Sequence, residues 1–99
     1  MKLVAIMCVE QYIERAKHLL YDLKIEAFSE TDLQGYKKDN DDESTNWFGS
    51  KKHFTSSKMV FTLCDDKKAD EIMQAVEICK HEIKDNPVHA FVLNVEQVI

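Results

Sequence analysis

The residues with the widest range of possible chemistry lie in one polar stretch, "DNDDESTNWFGSKK", which runs from Asp39 to Lys52. Its four acids could bind a cation, and the best-defined pattern for that chemistry is the calcium-binding EF-hand loop. This loop requires glycine at its sixth position and glutamate at its twelfth. Counted from Asp39, these positions hold Ser44 and Ser50. We therefore interpret the acids as a solvated segment and predict no metal site here.

The same stretch contains the only tryptophan, Trp47, followed by Phe48 and then by Lys51 and Lys52. These aromatic side chains could fold back onto the body of the protein or stack on a ligand. They could also anchor a protein partner, because tryptophan inside a polar rim is a common source of binding energy. In that case the two lysines would orient the partner through their charge.

Histidine and cysteine side chains could form a transition-metal site or a catalytic thiol. They are dispersed along the chain, without a Cys-x-x-Cys pair, at His18, His53, His81, His89, Cys8, Cys64 and Cys79. No cysteine has both a base and an orienting group that the sequence identifies. We predict reduced cysteines that pack in the core and a protein that is not an enzyme.

The composition limits the classes of function. A chain of 99 residues forms one domain, residues 1–99, with one modest core. The net charge is −5 and Arg15 is the only arginine, so we predict no nucleic-acid partner, because phosphate neutralisation requires clustered cations. The apolar run after Met1 is short and soon charged, so we expect no signal peptide and a cytoplasmic location.

Hydrophobic periodicity indicates the elements that position these residues. Leu3–Val9 has the length and apolar content of a strand, and the following segment up to Ile25 has helical spacing. Ala27–Tyr36 is typical of a second, partly exposed strand. A long loop over residues 37–57 then leads to a third strand, Lys58–Cys64.

A second helix is expected after Asp65 or Asp66, either of which can cap it. Its predicted inward positions are Ala69, Ile72, Met73, Val76 and Cys79. His89–Val95 is the predicted fourth strand. The order βαββαβ indicates an α+β, ferredoxin-like fold: a four-stranded antiparallel sheet with both helices on one face.

Both faces of the first and third strands are apolar. Leu3, Ala5 and Met7 alternate with Val4 and Ile6 in the first strand, and the third strand has the same pattern. Two helices can cover only one face of the sheet. We therefore expect another copy of the chain to cover the other face.

Several segments resemble the PII signalling proteins over nearly the whole chain. "TDLQGYK", from Thr31 to Lys37, is similar to the motif that ends the second strand of the family. "KMVFTLCDD" is similar to the third strand and the start of the next helix, and "HAFVLNVEQVI" to the last strand. The resemblance implies a trimer with ligand clefts between subunits, where adenine nucleotides usually bind. It also implies long loops that reach into protein partners, often membrane transporters.

The resemblance also implies ligand-binding residues. Ser29 stands where the family has an adenine-contacting threonine, Gly35 matches the glycine before the loop, and Lys58 matches a lysine at its other base. Glycine lets a backbone approach the ligand, and lysine supplies a point charge for an anion. Tyr36 and Lys37, beside Gly35, complete this side of the expected cleft.

The sequence departs from the family in the segment that cradles phosphates. The glycine-rich stretch is replaced by "KHEIKDNPVHA", which contains no glycine, and His89 stands where that stretch ends in lysine. No Arg-x-Arg pair follows the last strand, and Lys51 replaces the tyrosine that is modified in bacterial members. We therefore expect a divergent PII-like regulator that binds its effector weakly. The alternatives are a metal-tolerance or structural trimer of the PII/CutA-like superfamily and an ACT-like effector-binding module.

Overall fold

The computed structural model of the protein describes residues 1–36, 54–83 and 87–99. In these residues, four strands form one antiparallel sheet in the order β2-β3-β1-β4, and two helices pack against it. The elements are β1 (Lys2–Val9), α1 (Ile13–Asp22, after a 3-10 turn at Glu10–Tyr12), β2 (Ser29–Tyr36), β3 (Phe54–Cys64), α2 (Asp66–Glu82) and β4 (Val88–Asn94). This order and topology confirm the predicted ferredoxin-like α+β fold.

The core lies between the helices and one face of the sheet. Its fully buried side chains come from β1, α1, β3 and α2, and the largest are Ile6, Leu20, Ile72, Val4 and Val60. The predicted inward positions of α2 are buried except for Met73, which is half-buried and packs at the edge of the core. Each large apolar side chain removed from water contributes about 1.5–3 kcal/mol.

Polar contacts fix where the helices begin and end. The Asp65 carboxylate accepts a hydrogen bond from the Lys68 backbone N–H at 2.8 Å and caps α2, as predicted. Lys68 Nζ also donates to the Leu23 carbonyl at 2.9 Å, at the end of α1. A cation is favourable there because the terminal carbonyls of a helix carry partial negative charge.

No helix in the described residues is long and apolar enough to span a membrane.

The third strand begins earlier than the sequence indicated. β3 starts at Phe54 and not at Lys58, so the last four residues of the predicted 37–57 loop belong to the sheet. The sequence "FTSS" has no apolar alternation that would mark a strand. It is extended because β2 continues to Tyr36 and pairs with it in register, Tyr36 opposite Phe54 and Gln34 opposite Ser56. Long-range pairing, not local propensity, decides this boundary.

The sheet face opposite the helices is apolar, as predicted. The register places Leu3, Leu63 and Leu93 in one row across the three strands β3, β1 and β4, and Ala5 lies between Phe61 and Phe91 in the next row. Leu63, Phe91 and Leu93 are 47%, 37% and 52% exposed, respectively. We call the face that carries these two rows the open face.

Candidate functional site

Lys58 is on β3 and lies between two carboxylates of the neighbouring edge strand, β2. It is opposite Asp32 in the antiparallel register, and its Nζ is 2.6 Å from Asp32 Oδ1. Glu30, two residues earlier on the same face of β2, has its Oε2 at 3.2 Å from the same nitrogen. Hydrogen bonding to Asp32 and then to Glu30 raises the pKa of Lys58 above its ordinary value. These contacts keep the ammonium group charged to a higher pH than that of an ordinary lysine.

Glu30 is also bound from the other side, because Lys17 of α1 forms an ion pair with its second carboxylate oxygen. Hydrogen bonds from Lys17 and then from Lys58 lower the pKa of Glu30. The same contact with Glu30 raises the pKa of Lys17. The chain of contacts Lys17–Glu30–Lys58–Asp32 links α1, β2 and β3, and we call it the root network.

An open groove of about 320 Å³ lies beside the root network. Its walls come from the 3-10 turn, β2 and β3, and are Glu10, Asp32, Leu33, Gln34, Ser56, Ser57 and Lys58. This volume falls within the range of small-molecule sites. The hydroxyl, amide and ammonium groups could donate hydrogen bonds to a polar ligand, while the carboxylates of Glu10 and Asp32 make the groove unfavourable for a free polyphosphate. We call it the root groove.

Two other predicted ligand residues are the last two residues of β2. Gly35 is buried opposite Thr55, and Tyr36 is exposed, with its hydroxyl donating to Gln34 Oε1 at 2.9 Å. Both belong to the strand end that leads towards residue 37, where the predicted loop begins. Their assignment to ligand binding stays a prediction from the sequence.

Ser29 and His89 are separated from Lys58 within one copy of the chain. Ser29 is opposite Phe61 and lies on the open face, whereas Lys58 is level with buried Cys8 on the helix side. His89 is on β4, the far edge of the sheet from β2. His89 is opposite Met7 and therefore also lies on the open face, two strand spacings or about 10 Å from the strand of Lys58. A ligand that contacted groups on both faces would need a second copy of the chain to bring them together.

Five of the predicted site residues lie outside the described residues. They are Lys37, Trp47, Phe48, Lys51 and Lys52. Their assignment to ligand or partner binding stays a prediction from the sequence.

The cysteines have the character expected of core residues. Burial, with a smaller contribution from Cys79, raises the pKa of the Cys8 thiol to about 11. Burial and then Asp65 raise the pKa of Cys64. A raised pKa lowers the thiolate fraction and hence the reactivity of both thiols. Among the described residues, no group of three or more histidine, cysteine or acidic side chains is placed to hold a metal ion.

Sequence reasoning identified Lys58 but missed Glu30, Asp32, Lys17 and Glu10. The two acids of β2 are spaced i, i+2, so they share one face of the strand, and this is a signal that the sequence does contain. Their pairing with Lys58 depends on the strand register, which sequence alone did not provide. The contact with Lys17 depends in addition on how α1 packs against the sheet.

No protein-family model matches the sequence, and no curated protein is significantly similar to it. Among solved structures, the fold is similar to that of a Thermus thermophilus protein assigned to the PII-like signalling proteins. The two chains are 20% identical, with a TM-score of 0.68, and the match covers 95% of this chain and 85% of the other. The chain therefore has the fold of a PII-like signalling protein, as the sequence resemblance indicated.

Proposed function

We propose that the protein is a PII-like trimeric regulator and not an enzyme. In this proposal a small effector binds between subunits, and the 37–57 segment acts on a protein partner. The observation that carries the proposal is the fold similarity to a PII-like signalling protein over 95% of the chain. Two further observations support the proposal: the sequence motif at Thr31–Lys37 and the apolar open face of the sheet.

Self-association is supported by the open face. Leaving apolar side chains such as Leu63, Phe91 and Leu93 in water forgoes the free energy that their burial would contribute, about 1.5–3 kcal/mol for each one fully buried. Two rows of such residues form a contiguous patch, and patches of this kind mark interaction surfaces. A second and third copy of the same chain supply complementary apolar surface.

The effector site is proposed at the edge of the sheet, around the root groove. One side of the sheet, formed by β2 and β3, carries Gly35, Tyr36 and Lys58, and the opposite edge strand, β4, carries His89. An assembly that places the β4 edge of one copy beside the β2 edge of another would join these residues, with Ser29 and Lys37, in a cleft between subunits. Such a cleft is consistent with a ligand site that one copy alone does not complete.

The proposed effector is a small anion, with adenine nucleotides as the first candidates and with weak affinity. The segment "KHEIKDNPVHA" contains no glycine, and Pro87 lacks a backbone N–H that could donate to a phosphate. Among the groove residues that the structure describes, Lys58 is the cation, and two carboxylates already contact it. Both features oppose tight polyphosphate binding.

The proposed partner is a protein, with the cytoplasmic side of a membrane transporter as the leading candidate. The basis is the resemblance to PII-like proteins together with the sequence of the 37–57 segment. Trp47 and Phe48 would supply most of the binding energy, and Lys51 and Lys52 would orient the partner. No nucleic-acid partner is proposed, because the chain carries a net charge of −5.

Replacing Trp47 and Phe48 together by alanine tests this function. We expect the variant to lose capture of the partner from a membrane extract while its solution mass and melting temperature stay close to those of the wild type. The matched control replaces Tyr21, an exposed aromatic residue on α1, and should retain capture. A large drop in melting temperature for the double variant would mean that the two aromatics pack against the protein, and partner binding through them would then be wrong.

The main alternative is a structural or metal-tolerance trimer of the same superfamily, in which the 37–57 segment locks subunits together. Trypsin distinguishes the two functions because Lys51 and Lys52 lie in this segment. A regulatory segment should be cleaved there while the assembly keeps its mass. A segment that locks subunits should resist cleavage, or its cleavage should dissociate the assembly. The ACT-like alternative predicts a dimer in place of a trimer.

A further inference from the structure

The two carboxylates that contact Lys58 are not equivalent. The Glu30 side chain is only 28% exposed and contacts two lysines, Lys17 and Lys58. The Asp32 side chain is 83% exposed, and its ion pair is with Lys58. A carboxylate with two ion-pair partners is held more firmly than a more exposed carboxylate with one partner. The Asp32 contact is the shorter of the two, at 2.6 Å against 3.2 Å, but the Asp32 carboxylate is open to solvent. Asp32 is therefore the contact that another anion can reach and replace, while Glu30, which Lys17 also holds, stays beside the ammonium group.

Asp32 and Lys58 also form adjoining parts of the root groove wall. A carboxylate or phosphate oxygen that entered the groove and approached Lys58 Nζ would compete with Asp32 Oδ1, which is 2.6 Å from that nitrogen. With Asp32 in place, the entering anion would also be repelled by the Asp32 charge and by Glu10, which lines the groove from the 3-10 turn. Asp32 thus opposes anion binding by occupying Lys58 and by its charge.

We propose that Asp32 is a specificity-determining residue that occupies the anion position on Lys58. A ligand bearing a phosphate or carboxylate group enters the root groove by replacing the Asp32 carboxylate, while Glu30 keeps Lys58 oriented. A neutral polar molecule can enter the groove without replacing Asp32. An anion that interacts only weakly with Lys58 does not displace the Asp32 carboxylate. The inference deepens the proposed function, on which it rests, by naming the residue that limits the affinity of the effector site.

Calorimetric titration of the full chain with two probes, inorganic pyrophosphate and ADP, tests the proposal. Pyrophosphate measures the diphosphate contribution alone, and ADP adds the nucleoside, so the two titrations distinguish the source of the anion. We expect Asp32→Asn to bind at least one probe roughly two- to five-fold more tightly than the wild type, the range for losing one exposed ion pair. Adding Lys58→Gln to Asp32→Asn should abolish the gain.

Glu10→Gln is the matched control, because it removes one acidic charge from the lining of the same groove and Glu10 has no ion pair with Lys58. Its effect should be clearly smaller than that of Asp32→Asn. Equal gains for the two variants would show a long-range charge effect, and the exchange at Lys58 would then be wrong. The proposal is likewise overturned if Asp32→Asn gives no gain, or if it binds neither probe at millimolar concentration.

These outcomes are independent of the test of the proposed function. If Asp32→Asn shows no gain while the solution mass and partner capture are those of a regulator, the role of Asp32 is wrong and the function stands. If the gain is observed but the protein is monomeric and captures no partner, the role of Asp32 stands and the regulatory function is wrong.

Discussion

Lys58 was predicted from the sequence to supply a point charge for an anion, and in the structure two carboxylates contact it. The side chain contacts Asp32 and Glu30, and Glu30 is held in turn by Lys17. Lys58 is therefore one of four charges in the root network, which joins α1 to the sheet. Ion pairs at this degree of exposure are individually weak, but Glu30 takes part in two of them.

The pH dependence of stability tests the root network through Glu30. Contacts with Lys17 and Lys58 lower its pKa in the folded state below the ordinary value of 4.5. A lowered folded-state pKa means that the stabilisation is present above pH 4.5 and is lost as the pH falls through the folded-state pKa. We expect Glu30→Gln to melt at a lower temperature than the wild type at pH 7, and the difference to be smaller at pH 3 than at pH 7.

Glu26→Gln is the control for the loss of one acidic charge, because Glu26 is exposed and has no ion pair with another described residue. It should melt close to the wild type at both pH values. If Glu30→Gln and Glu26→Gln behaved alike, or if the Glu30 difference persisted unchanged to pH 3, the network would contribute nothing through its charges.

At the scale of the elements, the end of α1 shows a conformation that the sequence does not favour. Lys24 follows the helix with a φ of 61°, in the left-handed region, and its N–H donates to the Tyr21 carbonyl at 2.9 Å. This position usually holds glycine, because a side chain is crowded by the backbone in that conformation. The adjoining Leu23 carbonyl accepts from Lys68 of α2, which helps to hold the turn.

We expect Lys24→Gly to stabilise the protein by about 0.5–1 kcal/mol. Glycine relieves the strain of the left-handed conformation, and this gain exceeds the cost of the greater conformational freedom that glycine gives the unfolded chain. Urea unfolding measures the change, and Lys24→Ala separates it from the loss of charge. Asp22→Gly, in the last turn of α1, should instead destabilise by up to about 1 kcal/mol, because helical residues gain nothing from glycine. A destabilised Lys24→Gly would show that the lysine side chain is needed at this turn.

Most of the fold could be predicted because the patterns that specify it are local. The apolar run at Leu3–Val9, the helical spacing before Ile25 and the Asp65 cap each identify an element, and βαββαβ then leaves few arrangements. The start of β3 at Phe54 could not be predicted, because polar residues become a strand there only by pairing with β2. The partners of Lys58 were missed for the same reason, since cross-strand contacts depend on register.

At the scale of the whole molecule, the open face decides whether one copy or several form the functional unit. A charge placed there distinguishes the two cases. We expect Leu93→Lys to lower both the solution mass and the melting temperature, because an unpaired charge is costly to bury and, in the proposed trimer, association contributes to the stability of each subunit. Ile78→Lys is the matched control, since Ile78 is also exposed, at 64%, but lies on α2. It should keep the wild-type mass, and equal dissociation of both variants would rule out the open face as the specific interface.

The central claim, a trimeric regulator with sites between subunits, is tested most directly by the mass of the wild-type protein in solution. Light scattering coupled to gel filtration at micromolar concentration measures this mass without reference to shape. The account predicts a single species at three times the chain mass of 11.5 kDa. A monodisperse monomer would contradict it, because the open face would then be exposed to water and Lys58 and His89 would remain on separate parts of one sheet.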